Sequence, residues 1–276
     1  MAIRRILSAF AIAVAQFGAA GAQPSMQVCH PFIVQAFSEL PKRDSSQPSP
    51  VGDVPAFLAG ETKDCPGCDL RGAQLQRRNL SGADLRDADL SQASLHRANL
   101  AGARLDGARL VGANLNLGDL KRASLIEASL SSALLYRADL SAAVLTGADL
   151  RGARLQLARL SQAQMQHALL GGAMARLASF AGADLREADL QLANLQEADF
   201  QRADLRSANL TNAGFVRTNF TAADLSRVSA FNADFLAADF TDARLANADL
   251  RSIRLDGAQL TCANFDNAIL GPATPQ

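Results

Sequence analysis

The sequence is poor in everything that packs a conventional globular core. It has no tryptophan, one tyrosine and only 5% aromatic residues, although 49% of its 276 residues are apolar. Interiors reach crystal-like density by interlocking large side chains of varied shape. A chain dominated by alanine and leucine predicts a narrow, regular interior instead. An excess of one charge is missing too, with 27 Lys+Arg against 27 Asp+Glu. Bulk electrostatics therefore argue for neither nucleic acid nor an anionic membrane surface as a partner. Chemistry-bearing residues are sparse. His30, His96 and His167 stand apart from one another, and no glycine-rich phosphate loop occurs. Aspartates and serines are frequent, but their regular spacing accounts for them without a carboxylate pair or a Ser-His-Asp set. The expectation is a non-enzyme with no cofactor and no metal.

Long apolar runs are absent with one exception. Arg4 and Arg5 precede a mostly apolar stretch at 6–17, too short to cross a hydrocarbon layer of ~30 Å as a helix. Ala20-Gly21-Ala22 follows, the small-x-small pattern of signal-peptide cleavage, with Gln23 as the expected new N-terminus. Residues 1–22 thus read as a signal peptide and the mature chain as periplasmic or secreted, with no span remaining. A buried helix or a retained anchor is the competing reading. Four cysteines survive cleavage, Cys29, Cys65, Cys68 and Cys262. In an oxidising compartment they allow disulfides in any of three connectivities.

What the chain does have is a period of five. From Leu70 to Leu270 every fifth residue is Leu, Phe or Met except Ala175 and Ala230, and two residues before each lies a column that is mostly Ala. A step of five turns a helical side chain by ~140°, which leaves no common face. On a flat strand an odd step alternates faces. The internal spacing of two, however, puts Ala and Leu of one unit on the same side of an extended segment. Each unit is then a short inward-facing side followed by a corner, and equal corners close a prism. The residue before the leucine is often Asp or Asn, as at Asp84, Asp89, Asn99, Asp184 and Asn194, types whose short side chains bond to nearby backbone at turns. The two residues after the leucine, such as Arg86-Asp87, face outward.

The run Ala83-Asp84-Leu85-Arg86-Asp87-Ala88-Asp89-Leu90 resembles the pentapeptide repeat family, whose unit is A-(D/N)-L-x-x. The resemblance covers 68–272. It implies an all-β fold, a right-handed quadrilateral β-helix with four units per coil and about ten coils. A coil of twenty predicts two interior aromatic ladders, Phe180, Phe200, Phe220 and Phe240 on one side and Phe215 and Phe235 one side earlier. Ala175 and Ala230, each one unit before a phenylalanine, read as volume compensation, because overpacking costs ~1–3 kcal/mol.

Outside the repeats, 23–67 forms a non-repeating segment and linker. A short helix is expected at 31–40 and another turn at 54–60. Phe32, Phe37, Leu40, Phe57 and Leu58 are candidates for an N-terminal cap over the first coil. Residues 273–276 read as a disordered tail, and the few residues after Leu270 are too short for the C-terminal dimerisation helix of some family members. Cys65-Pro66-Gly67-Cys68 resembles the opening of pentapeptide arrays. It is read as structural thiols or a staple, with thiol redox activity and half a metal site left open. Cys262 lies too many coils away to reach Cys65 or Cys68. A long-range bridge, if present, is expected from Cys29 to one of that pair.

Charge is distributed unevenly, with a net +5 over 65–180 and −5 from 181 onward. With twenty residues per coil, Arg77, Arg97, Leu117, Arg137, Leu157 and Leu177 share one outward column, a candidate partner surface beside the plainer reading of surface scatter. The functional expectation is a structural or protein-interaction scaffold of the cell envelope with an unidentified protein partner. Two alternatives remain, a DNA-mimicking topoisomerase-binding protein of the quinolone-resistance type, implied by the family, and a C-x-x-C thiol redox protein.

Overall fold

The structure, a computed structural model, describes residues 51–271. The expected signal peptide, the helix at 31–40, the cap candidates Phe32, Phe37 and Leu40, and the tail lie outside the described residues.

Each pentapeptide contributes a single bridge residue, and each bridge pairs in parallel with the residue twenty further on. One ladder starts Asp69↔Asp89, Asp89↔Arg109, Arg109↔Ser129 and ends at Ile269. Three other ladders start at Gln74, Asn79 and Asp84. The chain therefore winds with four units per coil, and about ten coils at ~4.8 Å each give a length of roughly 48 Å. The longest paired pieces are two-residue strands, β1 (Asp249–Leu250) and β2 (Ile269–Leu270), themselves in parallel register.

Backbone hydrogen bonds link every coil to the next. Leu70 N–H donates to Asp89 O (2.8 Å) and Asp89 N–H donates to Cys68 O (2.8 Å), so successive donors point in opposite directions along the axis. At each corner the alanine N–H donates back to the preceding leucine oxygen, as Ala88 does to Leu85 (3.2 Å). The second residue after the leucine has φ between 54° and 68° in every unit from Gly67 to Asn267, the sign that marks a type II turn. Only eleven of these positions are glycine; thirty carry a side chain.

The interior holds only the two inward columns. Leu85 to Leu245 and their alanine partners from Ala83 onward are almost completely buried, each leucine contributing ~1.5–3 kcal/mol by its removal from water. The aromatic ladders form as the spacing predicts. Ring centroids lie 4.7 Å apart for Phe180–Phe200, 5.3 Å for Phe200–Phe220 and 5.0 Å for Phe220–Phe240, all stacked. Phe215 stacks on Phe235 at 5.1 Å, and the two ladders meet edge to face. Ala175 and Ala230 are fully buried in adjoining columns. Thr218 replaces an inward alanine, and its hydroxyl donates to Leu195 O (2.8 Å).

At the N-terminal end sits a short helix, α1 (Val54–Ala59). Asp53 Oδ1 accepts from Ala56 N–H, Pro55 fits the first turn, and Gly60 closes the helix at φ 86°. Of the two cap candidates described, Phe57 is buried but Leu58 is half exposed. The cap is completed instead by Arg78, which stands where the repeat has alanine. Its guanidinium lies 5.0 Å from the Phe57 ring centroid and donates to Phe57 O (2.7 Å). Among the described residues no helix is long and apolar enough to cross a membrane.

Candidate interaction face

Every residue of the predicted outward column occupies the positive-φ corner position, and backbone hydrogen bonds hold the column in line. Arg77 N–H donates to His96 O, Arg97 N–H to Asn116 O, and Leu117 N–H to Tyr136 O. Arg137, Leu157 and Leu177 continue the pattern toward Gln156, Arg176 and Gln196. Arg77, Arg97, Arg137, Leu157 and Leu177 are exposed, while Leu117 is half-buried. The structure thus brings all six to one corner.

It adds two residues that the single-column reading missed. Tyr136 is exposed beside Arg137 at the same corner, and Met174 is exposed on the side that feeds Leu177. Applying the step of twenty to the neighbouring outward positions would have found both. Arg176 ends the apolar stretch by pairing with Glu197 (2.9 Å) in the next coil. Beyond Leu177 the column continues with Glu197 and Arg217.

Other faces are organised by aspartate. The aspartate sits on the side, before the leucine, and reaches forward into the corner, where its Oδ1 accepts the N–H two residues on, as Asp89 does from Ser91. Where that residue is arginine, a paired hydrogen bond results, as in Asp69–Arg71, Asp84–Arg86, Asp149–Arg151 and Asp249–Arg251. The Arg71 side chain, followed by its backbone N–H, lowers the Asp69 pKa to about 2. The same arginine contact holds Asp84, Asp149 and Asp249 below the usual carboxylate range. Asp184, wholly buried, pairs with Arg186 (2.7 Å), which also reaches Asp204 (3.7 Å), the partner of Arg206. These are structural pairs along one column. Among the described residues no group of three or more His, Cys, Asp or Glu is placed to hold a metal.

The C-x-x-C forms the staple its spacing suggested, and the long-range bridge expected from Cys29 to that pair is not made. Cys65 and Cys68 form a disulfide with one another, with Cα atoms 5.4 Å apart, so a bridge from Cys29 to either is excluded. The short Pro66-Gly67 turn brings the two sulfurs together locally, and a third thiol finds both already used. Both halves are buried at 1% exposure or less, and residues 51–52 lie over them. Gly52 N–H donates to Pro66 O (2.8 Å), and a Cβ on Gly52 would stand 2.5 Å from Cys65 Cα. A buried cystine beneath backbone is built as a staple rather than for exchange with an external thiol. Cys262 is disulfide-bonded as well. Cys29 lies outside the described residues. His167 faces Glu187 at an exposed corner (3.5 Å).

The repeating coil and its corners define a class of protein built from pentapeptides. The sequence profile of the family described as pentapeptide repeats matches in overlapping copies over 68–107 to 198–235 and again over 238–271. The chain belongs to the pentapeptide repeat family. Among solved structures, it is similar to HetL, a pentapeptide repeat protein involved in heterocyst differentiation regulation in the cyanobacterium Nostoc sp. strain PCC 7120. That likeness has 32% identity and a TM-score of 0.59, and covers 82% of this chain and 99% of HetL. Trypsin-treated QnrB1, a plasmid-mediated fluoroquinolone resistance protein, shows 17% identity over 71% of this chain and 88% of its own, with a TM-score of 0.45. Rfr23 from the cyanobacterium Cyanothece 51142 shows 20% identity over 78% and 95% of the two chains, with a TM-score of 0.24. No curated protein matches the chain.

Proposed function

We infer that the protein is a non-catalytic scaffold of the cell envelope, a right-handed four-sided β-helix that presents one corner to a protein partner. The sense of winding follows the family resemblance and the right-handed preference of parallel β connections. Export rests on the signal-like residues 1–22, and the Cys65–Cys68 disulfide suits an oxidising compartment. The observation that carries the binding reading is the aligned corner. Leu157, Leu177, Tyr136 and Met174 are exposed together, flanked by arginines, and interfaces are enriched in aromatic, methionine and arginine side chains. Nucleic acid is not the expected partner, because the positive end is balanced by a negative one.

Two measurements test this. Fractionation with intact mass should find the chain outside the cytoplasm and beginning at Gln23; an intact Met1 in the cytoplasm would remove the envelope. A photo-crosslinking residue placed at Leu157 or Leu177 in cells should give a defined protein adduct that the opposite corner, at Gly147 or His167, does not. Equal labelling from both corners, or none from either, would remove the binding face.

A further inference from the structure

The wall that runs into the corner of Leu157 and Leu177 is the one side of the coil without a carboxylate over its first six turns. Its units centre on Leu75, Leu95, Leu115, Leu135, Leu155 and Ala175. Their outward residues include five arginines, Arg77, Arg97, Arg137, Arg154 and Arg176, and no aspartate or glutamate. The net +5 of 65–180 therefore resides on this wall, because the remaining basic and acidic residues of that stretch cancel. The next units, centred on Leu195, Phe215, Phe235 and Leu255, bring in Glu197, Asp234 and Asp256, and the excess ends there.

Many arginines elsewhere on the coil are held by aspartates, as Arg71 and Arg151 are at the opposite edge of this wall. Arg77, Arg97, Arg137 and Arg154 are exposed, and among the described residues none of the four has an acidic partner. Arg77 and Arg97 stand one coil apart, ~4.8 Å along the axis, near enough for like charges to repel. They do nothing to hold the coils together, and their charge is open to a ligand. Beside them on the same wall and corner lie Tyr136, Leu157, Met174 and Leu177, each 40–44% exposed. Away from the two ends, the other large apolar side chains so exposed among the described residues are Leu192 and Phe231, on the corner that enters this wall farther along.

Granted the binding corner inferred above, on which this rests, we propose that its partner is an acidic protein surface laid along the wall. The partner carries carboxylates where it meets Arg77 and Arg97, and apolar side chains where it meets Leu157, Met174 and Leu177. Five coils separate Arg77 from Leu177, so the two parts of that surface lie roughly 24 Å apart.

The other anionic partners fit the wall less well. Duplex nucleic acid presents a continuous row of phosphates, and Leu117 and Leu157 interrupt the arginine column where such a row needs charge. An anionic bilayer takes apolar side chains ~5–10 Å into its headgroup boundary. Here the leucines share their corner with Gln76, Asn116 and Gln156, which would lose water without gaining partners. A protein surface can set a carboxylate against each guanidinium in paired hydrogen bonds and make close apolar contact farther on. Charge at one end then steers the encounter, and apolar contact at the other holds the complex.

The test uses the full chain in cells, with a photo-crosslinking residue at Leu177. Arg77→Glu with Arg97→Glu should cut the protein adduct by about tenfold or more, and Arg77→Gln with Arg97→Gln by about threefold. Arg122→Glu with Arg227→Glu makes the same change of net charge on other corners and should leave the adduct unchanged. Circular dichroism of the β type, retained in each variant, shows that the coil is intact. Moved to Gln76, the probe should join the same partner through a peptide rich in Asp and Glu, whereas Leu177 joins it through an apolar one. No adduct from Leu177 in the otherwise unaltered protein would remove the binding face itself. An adduct that survives reversal of Arg77 and Arg97 would leave the face standing and overturn its acidic partner. Purified protein that sediments with phosphatidylglycerol vesicles, and ceases to when Arg77 and Arg97 are reversed, would assign the wall to a membrane and overturn the proposal as well.

Discussion

Every corner places its second residue in the left-handed region, and most of those residues are not glycine. Left-handed backbone costs an ordinary L-residue roughly 1–2 kcal/mol, so the fold carries this strain at thirty positions and offsets it by stacking each coil on the next. The strain can be relieved or increased one residue at a time. Ala222→Gly, at φ 58°, should raise unfolding stability by a few tenths to about 1 kcal/mol in urea, because glycine's extra chain entropy cancels part of the gain. Gly182→Val, at φ 65°, should lower it by more than about 1 kcal/mol, since a β-branched residue tolerates this region least. The aspartate–arginine pairs act at the same scale. Asp69, Asp84, Asp149 and Asp249 have pKa values below the ordinary 3.8. A depressed carboxylate contributes stability that is complete above its unfolded value and is lost as pH falls through the folded one. The thermal midpoint should therefore stay flat as far as these groups govern it from about pH 7 to about pH 5, then fall between about pH 4 and about pH 2. Asp84→Asn should make that fall shallower; a midpoint that declines equally in the variant would remove the pair from the account.

At the level of elements, the aromatic ladders and the N-terminal cap respond differently to truncation. Phe220 stands in contact with four other rings, and Phe220→Ala should cost ~3–5 kcal/mol, as large core truncations do. Phe265→Ala, in the half-covered last coil, should cost clearly less in the same denaturation experiment. The ladders were legible beforehand because one period dictates both sequence and contact. The alanine and leucine columns were legible for the same reason. The left-handed corner was not, since glycine marks only eleven of its positions and the remaining side chains merely look polar. The cap was half legible. Phe57 could be named from its apolarity, whereas Arg78 looked like a lapse in the alanine column until its guanidinium was seen over that ring. Tyr136 and Met174 escaped because one outward column was followed while its neighbours at the corner were not. The Cys65–Cys68 bond was legible as a staple from its short spacing, whereas the long-range bridge expected from Cys29 to that pair was not formed.

For the whole molecule, the step of twenty is the governing quantity. Each coil touches only its neighbours, so stability is close to a sum of coil and interface contributions. Deleting 126–145 removes one complete coil and leaves every column in register. The shortened chain should fold with a denaturant slope reduced by about a tenth, in proportion to the surface lost. Deleting 126–135 removes two sides and should also fold, but it rotates the C-terminal half by half a coil and separates Leu157 and Leu177 from Arg97 and Leu117. Crosslinking from Leu157 and Leu177 should then be lost in the ten-residue deletion, whereas the twenty-residue deletion, which also removes Tyr136 and Arg137 from the corner, should weaken it and keep it.

Because coils are held in series, the molecule also has a defined response to force. Pulled from its C-terminal end with disulfides reduced, it should yield from that end, one coil per event. Each event releases twenty residues of contour, about 65–70 Å, and shortens the folded stack by only ~4.8 Å. A single-molecule trace would show evenly spaced steps, growing harder to draw out where the coils contain stacked phenylalanine.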